Sequence, residues 1–133
     1  MSERQSEAYP GGETETAILL VEDNAMVREA LAVTLQFLGY QVYDAANGSE
    51  ALAISDQTLA TIRLVISDLV MPGINALELY EALQHRQYRG GMLVITGYPM
   101  PYAGMTLVER PGVAWASKPI RHEELQLLLA QML

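Results

Sequence analysis

Cysteine is missing from this chain altogether. Its absence excludes disulfides, thiolate metal sites and cysteine nucleophiles, and it leaves the redox compartment undecided. Long hydrophobic runs are missing too. None approaches the ~18 residues of a membrane span, and the first residues lack the apolar stretch of a secretory signal. No membrane partner is expected, and the expected location is cytoplasmic. Positive charge is scarce: Lys and Arg together number 8 against 16 Asp and Glu, for a net charge of −8. An acidic surface argues against direct nucleic-acid binding, because phosphate contacts need a basic patch. Lys118 is the one lysine, beside seven arginines. A P-loop, a G-x-G-x-x-G run and a G-x-S-x-G elbow are all absent, so the common nucleotide and hydrolase signatures have no footing.

What is present suits one folded domain. The chain has 133 residues, and 50% are hydrophobic, which supplies a normal core and excludes disorder over the main body. Residues 1–16 differ from the rest. They are polar, carry Glu3, Glu7, Glu13 and Glu15, and are broken by Pro10-Gly11-Gly12. They read as a flexible tail or linker, and residues 17–133 as the domain.

The domain is organised around Asp68. Leu64-Val65-Ile66-Ser67 runs straight into this carboxylate, and Leu69-Val70-Met71 then leads to the Pro72-Gly73 stop. A short apolar run bounded by a turn signal reads as a strand buried on both faces, with Asp68 at its end. Ala17–Val21 is a first strand of the same kind, ending in Glu22-Asp23-Asn24. Helical spacing of Val27, Leu31, Thr34/Leu35 and Leu38 follows, closed by Gly39. Gln41–Ala46 reads as a strand, Asn47-Gly48 as a turn, and Ser49 to about Leu59 as one helix with a weak apolar face. After Asp68, Asn75 caps a helix buried through Leu77, Leu79/Tyr80 and Leu83. Met92–Ile95 is a further buried strand ending at Thr96-Gly97. Pro99, Pro101 and Gly104 predict an irregular segment from Tyr98 to about Gly104, with a short helix near Met105–Arg110. Gly112–Ser117 is the last strand and ends at Lys118-Pro119. Leu125, Leu128/Leu129 and Met132 mark the final helix. This β-α alternation, five times over, implies an α/β fold with a parallel sheet between two layers of helices.

Four of the five strand ends carry polar residues suited to one site: Glu22-Asp23, Asp68, Thr96 and Lys118. Taken singly, Glu22-Asp23 is an N-cap with a dipole complement, Asp68 a turn residue, Thr96 a strand-end hydroxyl and Lys118-Pro119 a solvated turn. Together they fall where open α/β sheets bind ligands. In the doubly wound order 2-1-3-4-5, taken from precedent rather than from these residues, strands 1 and 3 are neighbours and three carboxylates converge. Clustered carboxylates need a cation or a shared proton, and oxygen-only ligands suit Mg²⁺. With Lys118 as a point charge and Thr96 as a hydroxyl donor, such a site is built for phosphoryl transfer to Asp68. His85 and His122 lack ligand-spaced partners and read as solvated, and Tyr98 reads as a surface residue.

Leu19-Leu20-Val21-Glu22-Asp23-Asn24, Ser67-Asp68-Leu69-Val70-Met71-Pro72-Gly73, Ile95-Thr96-Gly97 and Ser117-Lys118-Pro119 resemble the motifs of response regulator receiver domains of two-component signalling. The resemblance runs from Ala17 to Leu133 and implies the flavodoxin-like, doubly wound (βα)5 fold. It implies that Asp68 accepts phosphate from a histidine kinase or a histidine phosphotransfer domain. Glu22, Asp23, Asp68 and the backbone carbonyl of Val70 would then hold Mg²⁺, with Thr96 and Lys118 on the phosphoryl oxygens. Trp115 falls where the family has a switch Tyr or Phe, so a departure from the usual switching motion is expected. A homodimer through strand 5 and the final helix is a further expectation. Ile95-Thr96-Gly97-Tyr98-Pro99 and Gly112-Val113-Ala114-Trp115 resemble receivers of hybrid histidine kinases. With no output domain expected after the last helix, the chain reads as a stand-alone receiver or as one belonging to a hybrid kinase.

Competing readings differ at identifiable positions. A haloacid-dehalogenase-type phosphohydrolase needs a second acid two residues after the nucleophile, where this chain has Val70. A flavodoxin needs a hydroxyl- and glycine-rich phosphate loop after strand 1, where Glu22-Asp23 would repel phosphate. A phosphate-independent pseudo-receiver would lack some of the phosphorylation residues, and here none is missing.

Overall fold

A computed structural model describes residues 16–97 and 106–133. Five strands form one sheet: β1 (Ala17–Val21), β2 (Gln41–Ala45), β3 (Ile62–Asp68), β4 (Gly91–Thr96) and β5 (Val113–Ser117). Their order is β2-β1-β3-β4-β5, and every adjacent pair is parallel, as expected. Among the described residues, helices α1 (Ala25–Phe37), α2 (Gly48–Leu52), α3 (Asp56–Leu59), α4 (Ala76–His85) and α5 (His122–Met132) connect or follow them. This is the flavodoxin-like doubly wound architecture. Among the described residues, no helix is long and apolar enough to cross a membrane.

Strand alternation divides the core in two. Leu19, Val65 and Val94 point to the face covered by α2 and α4, where Leu79 and Leu83 are fully buried. Ile18, Leu64 and Leu93 point to the face covered by α1 and α5, against Leu35, Leu125 and Leu129. All five residues of β1 are buried, the pattern of a central parallel strand covered on both sides.

Two sequence expectations change. The strand before Asp68 begins at Ile62, two residues early, because Ile62 pairs with Ala17 beneath the apolar run. The single helix from Ser49 to Leu59 is two short ones. Asn47 caps α2, accepting from the Glu50 amide at 2.8 Å, and Ser55 starts α3 by accepting from the Thr58 amide at 3.1 Å. A hydroxyl placed mid-segment competes with helix continuation in this way. The break exposes carbonyls, and Arg86 satisfies them: its guanidinium donates to Leu52 O at 3.0 Å and Ile54 O at 2.8 Å.

The remaining expectations for the second half divide. Asn75 does cap α4, in a capping box with Glu78 whose bonds measure 2.8 and 3.0 Å. Residues 106–108 are helical and bury Leu107 completely. The expected irregular stretch from Tyr98 to about Gly104 lies outside the described residues, as do residues 1–15 of the expected tail.

Candidate functional site at the carboxyl ends of β1, β3 and β5

Each chemical group is delivered by the end of a strand. Asp68 is the last residue of β3, and the turn behind it is closed by Gly73, whose φ of 81° a side chain would resist. Glu22 and Asp23 follow β1, which lies beside β3. One oxygen from each of Glu22, Asp23 and Asp68 lies within 4.8 Å of the others. Lys118 follows β5 and reaches past the end of β4. Its Nζ stands 2.8 Å from Asp68 Oδ2 and 3.1 Å from Glu22 Oε1. These residues line an open cleft of about 630 Å³, together with Val70 and Gly97.

The burial is graded. Glu22 is 3% exposed, Asp23 is exposed, and the Asp68 side chain keeps 12%. Burial by itself would lower the pKa of the Lys118 ammonium. The hydrogen bonds and negative charge of Asp68 and Glu22 outweigh that and hold it above the ordinary lysine value. The one lysine in the chain is therefore a fixed positive charge between two carboxylates.

The loop carrying the acids is tied down. The Glu22 amide donates to Ala45 O at 3.1 Å, and the Asn24 amide donates to Glu22 Oε2 at 3.0 Å. Asn24 Oδ1 accepts from the Val27 amide at 3.0 Å and starts α1. Arg28, one turn further on, donates from Nη1 to the Glu22 carbonyl at 2.8 Å. Sequence reasoning missed Arg28. The available signal was an arginine six residues after the first acid, at a helix position facing back toward its own N-terminus.

Thr96 is tied to Lys118 through the backbone, its carbonyl accepting from the Lys118 amide at 2.8 Å. It ends β4, is 2% exposed, and is not among the residues lining the cleft. By strand alternation it shares the face of Met92 and Val94, whereas Asp68 shares that of Leu64 and Ile66. Trp115 pairs with Val94 and Ser117 with Thr96, so Trp115 and Thr96 lie on one face in adjacent strands. The indole is 47% exposed. His85 and His122 are exposed at helix ends, away from the cleft.

The arrangement has close relatives. The family model for the response regulator receiver domain matches residues 18–130. The sensor kinase CckA of Brucella abortus is 30% identical over 116 residues, covering 87% of this chain but only 12% of that protein. The crystal structure of the receiver domain from the hybrid histidine kinase CckA superposes with a TM-score of 0.74 at 34% identity, covering 87% of this chain and 97% of the other. The response regulator TrrA of Thermotoga maritima, solved in complex with Mg²⁺ and BeF, gives 0.75 at 28% identity, covering 89% and 99%. The match extends through all five strands and includes every strand end that carries a polar group, so the chain belongs to the response regulator receiver domains of two-component signalling.

Proposed function

We propose that residues 17–133 form a phosphoacceptor receiver in which Asp68 takes a phosphoryl group from a histidine kinase or a histidine phosphotransfer domain, with residues 1–16 as a tail or linker. The observation that carries this reading is the position of Lys118, bonded at once to Asp68 and Glu22. The cation-binding chemistry fits the residues present: three carboxylate oxygens within 4.8 Å of one another supply only hard ligands and excess negative charge. Glu22, Asp23, Asp68 and the Val70 carbonyl would hold Mg²⁺. Bound there, the ion would neutralise charge on the transferring phosphoryl group.

The chain's own groups do the rest. One Asp68 carboxylate oxygen attacks phosphorus; the new O–P bond forms as the P–N bond to the donor imidazole breaks, and the bonding pair returns to nitrogen. Lys118 Nζ exchanges its bond to Asp68 for one to a phosphoryl oxygen and remains anchored by Glu22. Arg28 and Asn24 keep Glu22 and Asp23 in place, so little reorganisation accompanies the step. Thr96 contacts the phosphoryl group from the end of β4 and passes the change to the face it shares with Trp115. The readout surface is that of β4, β5 and α5, with β5 and α5 as the face where a second copy docks. Relatives such as CckA place a receiver inside a hybrid kinase, and the same role is proposed for the protein carrying this chain.

The test is phosphorylation by acetyl phosphate with Mg²⁺, read by mass spectrometry of the intact protein. One added phosphate is expected, absent in Asp68→Asn and without Mg²⁺. Equal uptake by both proteins would overturn the assignment.

A further inference from the structure

The opposite end of the sheet holds a second cleft, of about 880 Å³. Its charge runs against that of the molecule. Arg63, Arg86 and Arg89 line it with a single carboxylate, Asp56, in a chain of net charge −8. Three of the seven arginines thus converge on one concavity. Arg86 is fixed by two backbone carbonyls and by Asp56 at 2.7 Å, a pair whose carboxylate is 93% exposed. The side chains of Arg63 and Arg89 are exposed and make no hydrogen bond or ion pair among the described residues. Acids outnumber bases two to one over the whole chain, so arginines left without carboxylates are the exception.

The cleft is also rigidly built. Arg89 sits between two pinned residues. Tyr88 is 5% exposed and donates its hydroxyl to Gly91 O at 2.7 Å. Gly90 packs so closely that any side chain would collide with the Tyr88 hydroxyl and the Arg63 carbonyl. That packing also locks the Arg89 loop against the strand bearing Arg63. Leu59 and Ile62 give the cleft an apolar floor.

We propose that this cleft at the amino ends of β3 and β4 binds a phosphate-bearing small molecule. Guanidinium forks match phosphate oxygens in pairs, and those of Arg63 and Arg89 carry no competing carboxylate among the described residues. The volume is that of a small-molecule site, and an apolar floor beneath cations suits an organic body carrying phosphates. Ile62 and Asp68 are six steps apart along β3, about 20 Å of strand at ~3.3 Å per residue. The cleft is therefore distinct from the carboxylate site, and the proposal stands whether or not Asp68 is phosphorylated.

Calorimetric titration of the whole chain in EDTA is the test, with tripolyphosphate and ATP as separate probes. EDTA silences the cation-dependent site. One saturable site is expected, weakened at least tenfold in Arg63→Gln/Arg89→Gln and unchanged in Lys118→Gln. Both arginines are exposed, so the double variant keeps its fold, checked by circular dichroism. Tighter binding of ATP would assign the apolar floor to a nucleoside; equal binding would assign the site to the oligophosphate alone. No saturable binding, equal affinity in the double variant, or loss of binding in Lys118→Gln would overturn the proposal.

Discussion

Lys118 Nζ bridges Asp68 Oδ2 and Glu22 Oε1 at 2.8 and 3.1 Å, and its side chain is only 27% exposed. Its pKa is raised in the folded protein, so the ammonium contributes stability fully below the unfolded lysine value of ~10.4. That contribution is lost as pH climbs through the higher folded value. Chemical denaturation of the metal-free protein between pH 9 and about 12 is expected to show a steeper stability decline in wild type than in Lys118→Met, since buried Tyr88 contributes a decline to both. At pH 7 the same variant leaves Glu22 buried without its cation, and a loss of ~1–3 kcal/mol is expected. Mg²⁺ is expected to recover part of it. A variant as stable as wild type without metal would show that the bridge is not structural.

Val70 lies two residues beyond Asp68, is 55% exposed, and lines the cleft. A valine side chain cannot hydrogen-bond a water approaching the acyl phosphate. A long-lived phosphoaspartate is therefore expected, and Val70→Asn, which adds an amide to orient water, is expected to shorten it. Phosphate loss followed by mass spectrometry decides this, and an unchanged or slower rate in the variant would refute it.

Trp115 and Thr96 share a sheet face across β4 and β5. Phosphorylation adds roughly −1.5 to −2 charge and new acceptor oxygens at Asp68, toward which Thr96 is expected to move. Indole exceeds the Phe or Tyr ring that the family resemblance leads one to expect here, and overpacking typically costs ~1–3 kcal/mol. The expected outcome is a partial inward shift of Trp115. It is the one tryptophan in the chain, so its fluorescence reports the shift directly. Beryllofluoride with Mg²⁺ should change its emission, and Thr96→Ala should blunt the change. Constant emission at saturation would make Trp115 a static surface residue.

Gln87 follows α4 with φ of +66°, the left-handed position that glycine usually takes at a helix end. The Tyr88 amide donates to Leu83 O at 3.0 Å and the Gln87 amide to Gln84 O at 2.9 Å, completing the motif around it. A side chain in this conformation costs roughly 1–2 kcal/mol, part of which glycine returns as chain entropy. Gln87→Gly is expected to stabilise the domain by up to about 1 kcal/mol, read as a higher urea midpoint at unchanged slope. A lower midpoint would mean that the glutamine makes a compensating contact.

The elements of this protein were legible because their signals are local. Apolar runs ending in Asp68 and Thr96, the Asn75 cap, and the glycine after α1 each act within a few residues of chain. The polar strand ends could be gathered into one site because parallel strands all end on the same side of the sheet. Tertiary structure decided the rest. Whether Ser55 interrupts a helix depends on Arg86, some thirty residues later, being there to take the freed carbonyls. Lys118 meets Asp68 across fifty positions of chain, through strand order and register that no local period encodes. That Thr96 and Trp115 share a sheet face likewise follows from the register between β4 and β5, which no local period encodes. The arginine cleft escaped notice for the same reason: Arg63, Arg86 and Arg89 lie on different elements, and only packing of the chain brings their charges together.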